Sequence, residues 1–238
     1  MVLSKNMQKL VAGSSTIRKL FEEGIELAKE VGAENVYDFS LGNPAAPVPE
    51  KVKKSIYDIL ENRNANFVHC YMPNAGYPEV REKVAANLNK KYDSSFTKED
   101  IIMTVGAAGG INCVLRCLLE QEDEVLCFAP FFGEYNSYVM NFGGNLKVVP
   151  ADYETFQLNV EEADKYITER TKAVIINNPN NPSGVVYNKE TLIRLQKMLE
   201  KAEERIGHPI YFLTSHTANW YMMAVNFHLH LTILKTAS

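Results

Sequence analysis

Hydrophobic residues in the first hundred positions recur at the three- and four-residue spacing of amphipathic helices. One such pattern follows Ser15, a good helix cap, and stops at Gly32. Residues 37–49 form an extended, proline-rich stretch, and a second helical pattern follows it. A third begins at Pro78, a residue type favoured in a first helical turn. The predicted apolar faces are Ile17, Leu20, Phe21, Ile25 and Ala28; Val52, Ile56, Ile59 and Leu60; and Val80, Val84 and Leu88.

From residue 101 the pattern changes to short, continuous apolar runs separated by helical stretches. The clearest of these helices covers Glu190 to Ile206 and is followed by Gly207. Continuous apolar strands that alternate with helices indicate a mainly parallel sheet covered on both faces. We therefore predict the α/β class, a three-layer α/β/α sandwich, with strands at 101–105, 124–128, 146–149, 173–177 and 209–213.

Composition narrows the class of protein. The chain has 238 residues, 46% of them hydrophobic and 23% charged, with a net charge of −4. This balance favours neither nucleic acid nor an anionic membrane as partner. We expect no signal peptide, no membrane span and a cytoplasmic protein. We expect no metal site, and reduced, buried thiols at Cys70, Cys113, Cys117 and Cys127, since none forms a CxxC pair.

Candidate chemistry lies in the segments at the carboxyl ends of the predicted strands, where open parallel sheets bind ligands. Residues 104–110 (TVGAAGG) can hold a phosphate at a helix N-terminus, although a tight turn needs glycine equally well. Residues 130–135 (PFFGEY) can stack on a planar cofactor or simply be core aromatics. Residues 177–184 (NNPNNPSG) are constrained by two Asn-Pro pairs, more than an ordinary turn needs.

Together these segments resemble a known family. NPNNPSG resembles the N-P-x-N-P-[ST]-G signature of class I aminotransferases, which are fold-type-I enzymes dependent on pyridoxal 5′-phosphate (PLP). Further matches are SLGNP at residues 40–44, the His69, Tyr71, Gly76 and Arg81 stretch, VGAAGGI and APFFGEY. The motifs occur in the family's order over about residues 1–213, and the bacterial aspartate-aminotransferase-like branch is the most similar.

The resemblance implies roles for particular residues. Backbone N–H groups of Gly106, Ala107 and Ala108 would bind the PLP phosphate. Phe132 would stack on the pyridine ring, and Asn181 would hydrogen-bond the phenolic oxygen. Tyr71 would reach the PLP phosphate of the neighbouring subunit. Gly42 would lie near the substrate carboxylate. The implied unit is a homodimer that acts on an amino acid and a 2-oxo acid.

The last 25 residues depart from the family pattern. After the last predicted strand the family shows D-E-x-Y, then S-x-S-K with the Schiff-base lysine, then arginines for the phosphate and the substrate; none of these is present after Leu213. Lys172, Lys189 and Lys235 have no motif around them, so we predict no catalytic lysine. His228 with His230 could be a metal pair, and Met222 with Met223 a binding surface.

The genetic code offers another interpretation of this tail. Trp and Met have one codon each, which limits what the same bases can encode in another reading frame. When the third base of each codon is read with the first two bases of the next codon, Asn219 to Ala224 must give L-V-[Y/H]-D-G. The same reading of Ser215 to Asn219 permits P-Y-R-K. The family commonly has D-E-P-Y-R-x-[LI]-V-Y-D-G here. We therefore expect an N-terminal arm and helix over 1–50, a partial PLP-binding large domain over 51–213 and an out-of-frame tail over 214–238.

Three functional hypotheses follow. The first is an aminotransferase whose present chain is inactive for lack of the lysine. The second is a truncated, non-catalytic binding or regulatory remnant, and the third is a related PLP carbon–sulfur lyase. In this fold the strand matching 101–105 pairs with a late strand that the tail lacks, so we also expect an incomplete, marginally stable sheet.

Overall fold

The computed structural model describes residues 3, 7–8, 16–40, 42, 46–216 and 221–225. The chain divides into two compact units, Met1–Cys70 and Tyr71–Ser238. The first unit includes the second predicted helix.

The first unit is helical. Its elements are α1 (Thr16–Val31), a 3-10 turn (Ala33–Asn35), α2 (Glu50–Asn62) and α3 (Ala65–Val68). Helix α1 ends as predicted at Gly32, which has a φ of 90° and donates its N–H to the Ala28 carbonyl. The predicted cap, Ser15, lies outside the described residues. Helix α2 has the predicted apolar face but buries none of its residues.

The second unit opens with α4 (Pro78–Tyr92), a 3-10 turn (Lys98–Asp100) and α5 (Gly106–Leu118). The strand predicted at 101–105 is wrong: these residues have no strand partner in the described part of the chain. Instead the Met103 N–H donates to the Ala75 carbonyl, and the Arg81 guanidinium donates to the Ile101 carbonyl at 2.8 Å. Without a neighbouring strand, these backbone groups are satisfied by a turn and a side chain.

The sheet contains β1 (Glu124–Phe128), β2 (Asn145–Val149), β3 (Thr171–Asn177), β4 (Tyr211–His216) and β5 (Tyr221–Val225). Their order is β2-β1-β3-β4-β5, with the first four parallel and β5 antiparallel to β4. The other four predicted strands are confirmed. Strand β4 continues past Leu213, and its Ser215 is in register with Asn177, the last residue of β3.

Helices cover both faces of the sheet, as predicted. On one face α5 and α6 (Tyr135–Met140) pack on Val125, Ala173, Ile175 and Leu213. On the other face α7 (Val160–Ala163) and α8 (Lys189–Ile206) pack on strand residues of opposite parity, Leu126, Phe128, Val174, Ile176 and Phe212. Helix α8 is capped by the Asn188 side chain and ends at Gly207 in the left-handed conformation.

The cysteine prediction is only partly right. All four thiols are free, but only Cys127, in β1, is buried, whereas Cys70, Cys113 and Cys117 are exposed. Apolar neighbours along the chain do not bury a helical residue that faces away from the sheet. Among the described residues, no helix is long and apolar enough to cross a membrane.

Candidate functional site

The three candidate segments meet at one edge of the sheet. Strands β1 and β3 are parallel, so the loops that follow them leave from the same edge. Helix α5 packs on the sheet and enters β1 through the short connection 119–123, so it runs antiparallel to β1. Its N-terminus therefore lies at that carboxyl edge too, which is where sheets of this kind bind ligands.

The first turn of α5 offers open hydrogen-bond donors. The N-cap residue, Val105, supplies no side-chain acceptor. Gly106 has a φ of 67° and donates its N–H to the Thr104 carbonyl at 3.0 Å. In the part of the chain that is described, the next two N–H groups, those of Ala107 and Ala108, have no acceptor. Gly106 thus forms the turn, and the residues after it present the donors to an anion.

The loop after β1 presents an aromatic ring. The Ala129-Pro130 peptide is cis, and Phe132 is 39% exposed. The Phe132 ring packs perpendicular to the buried ring of Tyr135, with centroids 5.7 Å apart and planes at 81°. Phe131 stacks on the same tyrosine at 6.4 Å. Tyr135 therefore supports both phenylalanines and leaves the Phe132 ring accessible from outside.

Three of the four asparagine side chains at the end of β3 and in the loop after it bond to other protein groups, and the fourth is exposed. The Asn177 side chain accepts the Asn181 N–H at 2.8 Å, and the Asn178 side chain accepts the Tyr187 N–H at 3.0 Å. Asn180 donates to the Pro130 carbonyl at 3.0 Å and to the Ser183 hydroxyl at 2.8 Å. The Asn181 side chain is exposed and has no hydrogen-bond partner among the described residues. It is the amide left open to a ligand.

Two buried titratable groups, the Cys127 thiol and the Tyr187 hydroxyl, lie close to each other near these loops. Burial raises the pKa of the Cys127 thiol to about 12. Burial, followed by the neighbouring Tyr135 and Cys127, also raises the pKa of Tyr187. Neither group carries charge near neutral pH, so neither repels an anion bound above it.

Two further predicted site residues, Tyr71 and Gly42, lie outside these three segments of the sequence. Tyr71 is fully exposed, at 103%, in the loop that opens the second unit. Gly42 is an exposed residue of the first unit, with open space where a Cβ would stand. The segments 106–109, 129–134 and 178–188 contain no lysine. Sequence reasoning missed Tyr135 and Asn180, whose supporting roles depend on contacts that no local pattern shows.

Comparison with known proteins decides the family. The family model for aminotransferase class I and II matches residues 33–211. The chain belongs to this family. Members of the family depend on PLP, and the chain has the α/β fold of their PLP-binding large domain.

Relatives and solved structures agree with this assignment. The chain is 35% identical over 181 residues to a probable aspartate/prephenate aminotransferase of Aquifex aeolicus, covering 75% of this chain and 44% of that protein. It is 33% identical over 224 residues to aromatic-amino-acid aminotransferase 2 of Thermococcus litoralis, covering 93% and 53%. An amino transferase structure from Eubacterium rectale superposes with a TM-score of 0.86 at 39% identity, covering 91% and 55%. The chain spans about half the length of the curated relatives it matches.

Proposed function

We propose that the carboxyl edge of the sheet binds the phosphate and the pyridine ring of PLP. The N–H groups of Ala107 and Ala108 would hold the phosphate after the turn at Gly106. Phe132 would stack on the ring, and Asn181 would donate to the phenolic oxygen. The observation that carries this proposal is the presence, at one edge, of open helix N–H groups, an accessible aromatic ring and an unpaired amide.

The reaction of the whole protein would move an amino group between an amino acid and a 2-oxo acid. PLP supplies an electron sink when it is bound. The residues of this chain would bind and orient the cofactor. Gly42 would lie near the substrate carboxylate, and Tyr71 would reach the phosphate site of a second subunit in a cytoplasmic homodimer. The full exposure of Tyr71 is compatible with a role outside its own subunit.

We further propose that residues after about Thr214 are translated out of frame, so that this chain binds PLP without a covalent bond. The family match ends at residue 211. In the shifted frame, the codons of Leu213 and Thr214 can together encode Asp, and those of Thr214 and Ser215 can encode Glu. The shifted frame can therefore encode D-E-P-Y-R-K-L-V-[Y/H]-D-G. That Asp would stand at the carboxyl end of β4, beside the end of β3. Sequencing the gene tests this, and a shifted frame that lacks PYRKLVYDG contradicts it.

Binding experiments on this chain test the site directly. Equilibrium dialysis would compare PLP, pyridoxal and inorganic phosphate. We expect PLP to bind more tightly than either part alone, because the phosphate and ring contacts act together. After borohydride reduction, mass spectrometry should find no pyridoxyl-lysine adduct. Equal affinity for PLP and inorganic phosphate would contradict a ring site, and a stoichiometric lysine adduct would contradict non-covalent binding.

Two aromatic variants test whether the Phe132 ring contacts PLP, one at Phe132 and one at a control position. Phe132→Leu should weaken PLP binding by about 2- to 12-fold, since aromatic stacking contributes about 0.5–1.5 kcal/mol. Tyr153→Leu is the matched control, because Tyr153 is 80% exposed in the loop after β2. It should leave the affinity unchanged, and inorganic phosphate should bind both variants as it binds the original chain.

A further inference from the structure

Asn180 is a buried residue whose main-chain groups and side-chain N–H donors are all hydrogen-bonded. It is only 6% exposed, although the next residue, Asn181, is exposed. Its main chain closes the turn: its N–H donates to the Val185 carbonyl at 2.8 Å, and its carbonyl accepts the Gly184 N–H at 2.7 Å. Its side chain donates one N–H to Ser183 within the loop and the other to Pro130 in the loop after β1.

The bond to Pro130 connects the two halves of the proposed ring site. Pro130 lies two residues before Phe132, and Asn180 lies immediately before Asn181. The loop after β1 is also held at Ala129, whose N–H donates to the Val149 carbonyl, and by Tyr135, whose N–H donates to the Phe132 carbonyl and whose ring contacts both phenylalanines. The Asn180–Pro130 bond holds the loop between those anchors. Its length of 3.0 Å fixes how far apart the two loops stand.

We propose that Asn180 is a positioning residue that sets the spacing between the Phe132 ring and the Asn181 amide. The proposal rests on the proposed function, since it concerns the same cofactor site. A displacement of one loop relative to the other would separate the stacking contact from the amide contact. It would leave the phosphate donors on α5 in place, because they belong to neither loop. Loss of Asn180 should therefore weaken binding of the ring but not of the phosphate.

Asn180→Asp tests the bridge with almost no change of shape. An Asp carboxylate accepts but does not donate, so it loses the bond to the Pro130 carbonyl. It keeps the local contact, because the Ser183 hydroxyl can donate to it. Asn178→Asp is the matched control: it makes the same charge change two residues earlier, where the side chain only accepts the Tyr187 N–H. Ser183→Ala removes the hydroxyl that accepts from the Asn180 side chain and from the Val185 N–H, and it leaves the Pro130 bond in place.

The first measurement needs no cofactor. Hydrogen–deuterium exchange of residues 129–136 reports the loop after β1, including the bonded N–H groups of Tyr135 and Asn136. Asn180→Asp should speed exchange there by about 2- to 12-fold, the effect of losing one hydrogen bond. Asn178→Asp and Ser183→Ala should leave exchange in this segment unchanged. Equal exchange in all three variants would overturn the bridge.

The second measurement is the ratio of PLP affinity to inorganic phosphate affinity. It should fall about 2- to 12-fold in Asn180→Asp and stay constant in Asn178→Asp and Ser183→Ala. A parallel loss of both affinities in Asn180→Asp would show general unfolding and overturn the positioning role. If the original chain itself does not prefer PLP to phosphate, the proposed function fails and the positioning role fails with it. The exchange result then still reports whether Asn180 joins the loops.

Discussion

Ala108→Asp separates phosphate binding from helix stability, because the two should change in opposite directions. Ala108 is exposed in the first turn of α5, beside the open N–H groups. A carboxylate there interacts favourably with the positive end of the helix dipole and should stabilise the helix by about 0.3–1 kcal/mol. The same carboxylate would repel a phosphate bound to that turn.

The repulsion can be worked from the helix geometry. Neighbouring positions on a helix surface lie about 6 Å apart, and a phosphate monoester carries about −2 charge near neutral pH. With an effective dielectric constant of about 40 to 80, as suits an exposed position, the repulsion is about 1.4–2.8 kcal/mol. Affinity for PLP and for inorganic phosphate should therefore fall by about 10- to 100-fold.

The assay combines equilibrium dialysis with urea unfolding of the same preparations. Ala108→Asn is the isosteric neutral control and should bind within a few-fold of the original chain. Raising the salt concentration should narrow the difference between the Asp and Asn variants, because added ions screen exposed charges. Normal phosphate binding by Ala108→Asp would contradict this prediction. An equal loss of affinity in Ala108→Asn would also contradict it, since the loss would then be steric.

Two further predictions concern stability. Gly76→Ala should destabilise the chain by about 1–3 kcal/mol in urea unfolding. Gly76 has a φ of 95°, and an added Cβ would stand 2.5 Å from the Met103 side chain. A variant as stable as the original chain would contradict this packing. Cys127 has its pKa raised from 9.0 to about 12 in the fold, so the unfolded chain loses its proton first as pH rises. The contribution of Cys127 to the free energy of unfolding is therefore complete below about pH 9. It is lost towards pH 12, at about 1.4 kcal/mol per pH unit. Cys127→Ala should reduce the slope of unfolding free energy between pH 9 and 11, and an unchanged slope would count against the burial of this thiol.

The strands and the long helices could be predicted because their signals are local. Strand β1 is buried at every position and apolar after Glu124, as is typical of a strand covered on both faces. The segment 101–105 has the same local signal but lacks the neighbour that makes an apolar run a strand. Its backbone groups are bonded by Ala75 and Arg81 instead, and that outcome depends on residues distant in sequence.

The cysteine error has a different origin, because the sequence did contain a usable signal. At about 100° per residue, Cys113 and Cys117 lie on the face of α5 opposite Ile111 and Leu115. The structure buries the second pair and exposes the first. Helical periodicity therefore gives the exposure of these thiols, whereas the hydrophobicity of the neighbouring residues does not.

The two parts of the proposed cofactor site differ in how far sequence can define them. The phosphate donors are main-chain N–H groups, so a turn of small residues directly before a helix is enough to predict them. Hydroxyl side chains in place of Ala107 and Ala108 would add contacts to the phosphate, but the main-chain N–H contacts do not depend on them. The ring contacts depend on side chains from two loops, and four asparagines in one loop look alike in sequence. Only their partners show that Asn177, Asn178 and Asn180 hold the loop while Asn181 faces outward. Substitutions in the ring part should therefore act through the stacking contact or through loop spacing, and those in the phosphate part chiefly through charge.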